Sequence, residues 1–238
     1  MNRTTLPLSF THLLRATVCG IALLVPAMTL AQVPPGAAEV SRYSGLHAAA
    51  HRGDVVEIER LIAAKADVNA RDPYGRTPLH VATHAGRVEA ISALAKAGAN
   101  TGLLEKDRYD AVTIAAVANN EDALRTLIAA GASAKLTTSR YDGTALIAAA
   151  HLGHHGAVKR LIAAGAPLDH VNNLHWTALI ESIVLGNGGP HHIATLQALV
   201  AAGANLQLSD RNGNTPLSLA KARGYRVMAE ILEKAGAK

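Results

Sequence analysis

The feature that most constrains this chain is a period of about 33 residues that runs six times. Leucine-like residues recur in two series, the second fifteen residues or more after the first. Such a period marks repeat architectures, in which one unit cannot bury its apolar face alone and needs its neighbours. Hydrophobic residues make up 49% of the chain but aromatic residues only 3%, which suits closely packed small helices. The first series is Leu46, Leu79, Val112, Leu146, Leu179 and Leu217, and the second is Leu61, Leu94, Leu127, Leu161, Leu199 and Leu232.

Each unit contains start and stop signals for two helices. In the second unit Thr77 can cap a first helix and Pro78 suits its first turn. Gly86 stops that helix, and a second helix is predicted from Val88 to Lys96. Asn, Asp and Gly residues then form a turn into the next unit.

The segments RDPYGRTPLHVATHAGRVEAISALAKAGAN and RNGNTPLSLAKARGYRVMAEILEKAGA resemble ankyrin repeats. The resemblance implies an all-α solenoid of stacked helix–turn–helix pairs with projecting β-turn fingers. The third unit departs from the pattern, with Asp110 where the threonine should be and Asn119 where the glycine should be, and the fifth has an insertion at 186–192. The predicted repeat domain spans 41–238, with units at about 41–70, 71–103, 104–136, 137–171, 172–208 and 209–238.

The N-terminal segment predicts export. Arg3 and Arg15 precede an apolar stretch, Ala16–Val25, and small residues lead to Ala31. This order is typical of a secretory signal peptide over residues 1–31, with a flexible lead-in at 32–40. A membrane anchor is the alternative, but prolines interrupt the second half of the uncharged run. We expect a periplasmic or secreted protein without stable membrane insertion and without its one cysteine, Cys19.

Aromatic residues are concentrated on the predicted finger turns. Large amphipathic rings on a surface are common binding anchors. The resemblance also places the fifth position after the key leucine on the concave face, where histidine recurs. It gives His47 and His80, by contrast, a structural role between a helix start and a neighbouring turn. The predicted partner-binding residues are Tyr43, Tyr74, Tyr109, Tyr141 and Trp176, with Arg76, Arg140, His51, His84 and His151.

Motifs for chemistry are absent from the sequence. It contains no GxSxG, HExxH or GxxxxGK pattern. The pairs His154-His155 and His191-His192 suggest metal ligands, but adjacent side chains point in different directions. We therefore expect no catalytic, cofactor or metal site. The 23 basic and 18 acidic residues are mixed, which argues against a nucleic-acid partner.

These observations predict a monomeric, non-catalytic module that binds another protein through the concave face. An alternative comes from the resemblance alone. Some exported bacterial ankyrin proteins are linked to peroxide resistance beside a catalase, which implies an accessory role in the assembly or haem loading of a stress enzyme. A further hypothesis is that the histidine row senses acidity, because histidine charges near pH 6.5.

Overall fold

The computed structural model describes residues 33–238, so the predicted signal peptide at 1–31 lies outside the described residues. The described chain forms six pairs of helices, preceded by one short helix. The helices are α1 (Ala37–Val40), α2 (Gly45–Arg52), α3 (Val55–Ala63), α4 (Pro78–His84), α5 (Val88–Lys96), α6 (Ala111–Val117), α7 (Glu121–Ala129), α8 (Ala145–His151), α9 (His155–Ala163), α10 (Ala178–Val184), α11 (Pro190–Ala201), α12 (Pro216–Ala222) and α13 (Arg226–Lys234).

The pairs stack in two layers. The first helix of each unit packs against the first helix of the next, from α2 through α12, and the second helices pack likewise from α3 through α13. This arrangement confirms the predicted solenoid. Two short strands, β1 (Thr137–Thr138) and β2 (Gly143–Thr144), pair antiparallel in the turn before α8, with Thr137 opposite Thr144.

The first helices begin where the sequence predicted. Thr77, Thr144, Thr177 and Thr215 each accept a hydrogen bond from a backbone N–H three residues on. In the third unit Asp110 takes over this role and accepts from the N–H of Thr113 at 2.8 Å. A carboxylate is as good an N-cap as a threonine hydroxyl, so the departure from the repeat pattern leaves the helix start intact.

Two residues stand in the left-handed conformation where other units have glycine. Asn119 ends the first helix of the third unit with φ of 51°, and Lys65 ends the second helix of the first unit with φ of 65°. Other units have glycine at these places with positive φ, for example Gly86 and Gly98. Asparagine is the usual substitute for glycine at such a helix end, whereas for lysine the left-handed conformation costs about 1–2 kcal/mol. The fold therefore imposes strain at Lys65 and little at Asn119.

The two leucine series form the interior. All six residues of the first series are buried, and five of the second have no exposed surface. Leu61 is half-buried and packs against the core from the first unit. His47 and His80 tie helix starts to turns, with Nε2 atoms 3.0 Å from the Arg76 carbonyl and 2.9 Å from the Leu103 carbonyl. Their predicted structural role is confirmed.

Candidate partner-binding surface

The turns between units form a ribbon of linked fingers, which we call the finger row. From the second finger to the fifth, each finger is bound to the next through the backbone. Lys106 N–H donates to the Tyr74 carbonyl at 3.0 Å, and Ser139 N–H donates to the Arg108 carbonyl at 2.8 Å. Asn173 N–H continues the series by donating to the next carbonyl at 3.0 Å. The finger row consists of residues 41–44, 71–76, 104–109, 138–143, 171–176 and 210–214.

One side chain closes each of four fingers from within. Asp72 Oδ1 accepts hydrogen bonds from the backbone N–H groups two and four residues later, both at 2.8 Å. Glu105, Asn172 and Asp210 repeat this pattern in their own fingers. The fourth finger uses Ser139 Oγ for one such bond. Because these acceptors turn inward, the acidic groups of the fingers are largely used in holding the turns.

The second finger is joined to α1 by a buried ion-pair cluster. Arg76 Nε donates to Asp72 Oδ2 at 2.8 Å, and Arg76 Nη2 lies 3.2 Å from Glu39 Oε2. Tyr43 donates its hydroxyl to the same Asp72 oxygen at 3.0 Å. Burial alone would raise the pKa of Asp72, but the hydrogen bonds from Arg76 and Tyr43 outweigh it and hold that pKa below its usual value.

This cluster corrects two expectations. Arg76 was predicted to contact a partner, yet it is 3% exposed and its guanidinium pairs with Asp72 and Glu39 inside the protein. The lead-in at 32–40 was predicted to be flexible, yet it ends in α1, whose Glu39 completes the cluster. The physical reason is the same for both. A buried guanidinium needs anionic partners, and one of them comes from the segment before the first repeat.

Tyr74 is the exposed ring of the finger row. Its residue surface is 47% exposed, and it lies on the outer side of the Arg76 cluster. The Arg76 Cζ atom is 4.5 Å from the ring centroid, and Lys106 Nζ is 5.8 Å from it. Both cations are within the range of cation–π attraction, so they help to hold the ring in place while the residue stays exposed. A cavity of about 160 Å³ lies beside it, between α1 and the second finger.

The other finger aromatics are less accessible. Tyr109 is buried, with 6% exposure, and burial raises the pKa of its phenol. Its predicted role as an exposed anchor is therefore wrong, because the third finger packs it inward. Tyr43 is half-buried against the core with its hydroxyl on Asp72, and Tyr141 and Trp176 are also half-buried.

The predicted histidine row lies apart from the fingers. His51, His84 and His151 stand at the C-terminal ends of first helices, whereas the fingers precede the N-terminal ends. A seven-residue helix is about 10 Å long, so the row and the fingers do not meet as one patch. Burial lowers the pKa of His84 to about 4, which removes this residue from any switch near pH 6.5.

Cations face outward along the finger row. Arg140 is exposed and lies 3.1 Å from Asp107, and Arg108 lies 3.3 Å from Asp142, so two cations are paired across neighbouring fingers. Other exposed cations bond to carbonyl oxygens, which leaves their charge uncompensated. The exposed basic residues of the row are Arg42, Arg71, Lys106, Arg108, Arg140 and Arg211, whereas Asp142 is its one exposed acidic residue.

Two polar arrangements were missed from the sequence. Glu181 is buried in α10, where it accepts from Asn172 Nδ2 at 2.8 Å and lies 3.3 Å from His151 Nδ1. His155 and His191, in adjacent units, stack their rings against each other. An acidic residue at a position that is apolar in most other units was the available signal for Glu181. No local signal identifies the histidine pair, because the stacking of units brings it together.

The fold defines a class of protein, the solenoids built from stacked helical pairs. The family model described as "Ankyrin repeats (3 copies)" matches residues 23–104, 46–140 and 112–210. The chain therefore belongs to the ankyrin repeat family. Ankyrin repeats generally serve as protein-binding modules, and proteins of the family are typically non-catalytic.

Similar proteins agree with this assignment. The chain is 40% identical over 100 residues to the ankyrin repeat protein YahD of Escherichia coli (strain K12), across 42% of this chain and 50% of that protein. It thus spans about half the length of this curated relative. The crystal structure of an ankyrin repeat domain (ABAYE2397) from Acinetobacter baumannii AYE is 42% identical, with a TM-score of 0.77, and the match covers 81% of this chain and 98% of that one.

A third similar structure contains two proteins. It is the complex of the predatory endopeptidase Bd0816 from Bdellovibrio bacteriovorus with the immunity protein Bd3460. The matching chain is 26% identical with a TM-score of 0.67, and the match covers 81% of this chain and 98% of that one. Within residues 33–238, we find no helix with the length and apolar character needed to cross a membrane.

Proposed function

We propose that this protein is a non-catalytic module of the periplasm that binds an acidic surface of another protein through its finger row. The observation that carries the proposal is the exposed ring of Tyr74, which has two cations close to it on a row of linked turns. An anchor that is already ordered loses little conformational entropy on binding.

Charge supports an acidic partner. Six cations of the finger row are exposed, whereas the acidic side chains that close three fingers hold the turns from within. Opposite charges across an interface speed association and select the partner. One structure similar to this chain is a complex of an endopeptidase with an immunity protein. A complex between two proteins supports a protein ligand for this chain over a small molecule.

Export to the periplasm is supported by the N-terminal sequence, with its basic start, apolar stretch and small residues before Gln32. Mass spectrometry of the protein purified from the periplasm of an expressing bacterium tests this part. A mature N-terminus at Gln32 is expected. Full-length chain retained in the membrane would support the anchor alternative instead.

Binding is tested by capturing the partner from periplasmic extract and then measuring its affinity with purified components. Tyr74→Ala removes an exposed anchor and is expected to weaken binding about tenfold or more. Lys106→Glu is also expected to weaken binding, because it reverses a charge that steers the partner. This loss of affinity is expected to grow as the salt concentration is lowered, because salt screens the charge.

Matched controls lie on the second helices. Val56→Ala truncates a residue of α3 that is 78% exposed. Lys96→Glu makes the same charge reversal as Lys106→Glu at an exposed position of α5. Both are expected to leave affinity unchanged. If the controls weaken binding as much as the finger variants do, the finger row is not the binding surface.

A further inference from the structure

Two histidines from adjacent repeats face each other outside the finger row. His155 is the first residue of α9, and His191 lies in the first turn of α11. Their ring centroids are 5.7 Å apart and their planes are inclined by 24°. His191 is exposed and His155 is half-exposed, so both rings are accessible from solvent.

The separation of the rings matches a shared metal ion. A metal–nitrogen bond of about 2.1 Å puts each ring centre roughly 3 Å from the ion. Two imidazoles bound at a near-tetrahedral angle then have ring centres about 5 to 6 Å apart. The observed 5.7 Å falls in this range, so a shared ion requires rotations of the two side chains that direct one nitrogen of each ring at the same point.

The backbone on both sides of the pair is held by neighbouring histidines. His154 Nδ1 lies 3.0 Å from the Ala116 carbonyl, which fixes the start of α9. His192 is buried, with Nε2 3.0 Å from the His151 carbonyl and Nδ1 3.1 Å from Asn187 Oδ1. In each adjacent pair, one histidine thus ties the helix start to the protein and the other faces solvent.

The insertion in the fifth repeat is part of this arrangement. It lengthens α11 to twelve residues, against nine in the other second helices, and so adds the turn that carries His191. Tyr225 donates its hydroxyl to the Gly186 carbonyl at 2.9 Å, and its ring lies directly over Gly188. The insertion is therefore anchored from both neighbouring repeats, which orders the site before any ion arrives.

We propose that His155 and His191 together bind one divalent transition-metal ion of the nickel, copper or zinc type. Imidazole nitrogens suit these ions, whereas magnesium and calcium prefer oxygen ligands. Within residues 33–238 no group of three or more ligating side chains comes together, so water or an external ligand completes the coordination.

Isothermal titration with nickel chloride and with zinc chloride at pH 7.5 tests the proposal. The protein is the untagged full chain with Cys19→Ser, which removes its one thiol. His155→Gln and His191→Gln are each expected to weaken binding about tenfold or more, and the double variant no further, because both single variants break the same site. Magnesium chloride is expected not to bind.

His175→Gln is the matched control, because it removes an exposed histidine from the fifth finger. It is expected to leave affinity unchanged. Unaltered affinity in either single variant of the pair, or an equal loss in His175→Gln, overturns the proposal. Circular dichroism and melting curves establish that each variant is folded.

A second measurement uses the Cys19→Ser protein with all its histidines. Substoichiometric copper chloride broadens the NMR signals of nearby imidazole protons through its unpaired electron. We expect the signals of His155 and His191 to broaden first and together. If other histidine signals broaden first, or if these two respond at different copper concentrations, the shared site does not exist and the two rings are stacked for packing alone.

Discussion

The cluster around Arg76 holds the segment before the first repeat to the second finger, and its removal has a calculable cost. Arg76→Met keeps most of the side-chain volume and deletes the guanidinium. That side chain is 4% exposed and forms ion pairs at 2.8 Å with Asp72 and 3.2 Å with Glu39. The substitution leaves the Asp72 carboxylate, also 4% exposed, without its cation.

The magnitude follows from what Asp72 retains. Breaking a buried ion pair by removing one partner costs about 3–5 kcal/mol. Asp72 keeps the Tyr43 hydroxyl at 3.0 Å and two backbone N–H donors at 2.8 Å, so it is only partly deprived of partners. Glu39 is 21% exposed and regains water. We therefore expect the free energy of unfolding to fall by about 2–3 kcal/mol.

Urea unfolding followed by far-ultraviolet circular dichroism measures this loss, provided that the slope of free energy against urea is unchanged. Arg125→Met is the control, because Arg125 is 62% exposed and pairs with Asp122 on the surface. Its loss is expected to stay below about 0.5 kcal/mol. An Arg76→Met loss as small as that of the control would refute the reasoning that the cluster stabilises the N-terminal end of the stack.

The remaining predictions concern a helix cap and acid stability. Asp110→Ala is expected to cost about 1–2 kcal/mol in urea unfolding, because the Thr113 N–H loses its acceptor, while Asp110→Asn keeps the cap and costs less. Burial lowers the pKa of both His80 and His84 to about 4, so the unfolded chain binds more protons between pH 6.5 and 4. The contribution of these two neutral histidines to the free energy of unfolding is therefore fully present above pH 6.5, and it is lost as the pH is lowered towards 4. A urea midpoint equal at pH 7 and pH 5 would contradict this.

The repeat pattern was predictable because its determinants are local. Thr77 caps α4 through a backbone group three residues away, and Pro78 follows it in the first turn. The leucines recur at the spacing that faces them inward in every unit. Where the pattern failed, at Asp110 and Asn119, the structure kept the helix boundaries, because a carboxylate can cap and asparagine tolerates the left-handed turn.

The binding surface was predictable only in part. The sequence placed the aromatic residues on turns, and Tyr74 is indeed exposed. Tyr74 stands five residues before the key leucine of its unit and Tyr109 three before the equivalent Val112, but the sequence did not say which of these two finger positions turns inward. Which ring turns inward depends on what the adjacent finger presents, and that finger lies about one period away in the chain.

The sequence by itself determined the unit, its two helices, the leucine-like residues that face the interior and the number of units in the stack. The tertiary structure alone decided that Arg76 is buried against Glu39 and that His155 meets His191. The first set rests on hydrogen bonds and apolar spacing within a few residues, which the order of residues specifies directly. The second rests on contacts between whole units, whose partners are chosen by the geometry of stacking.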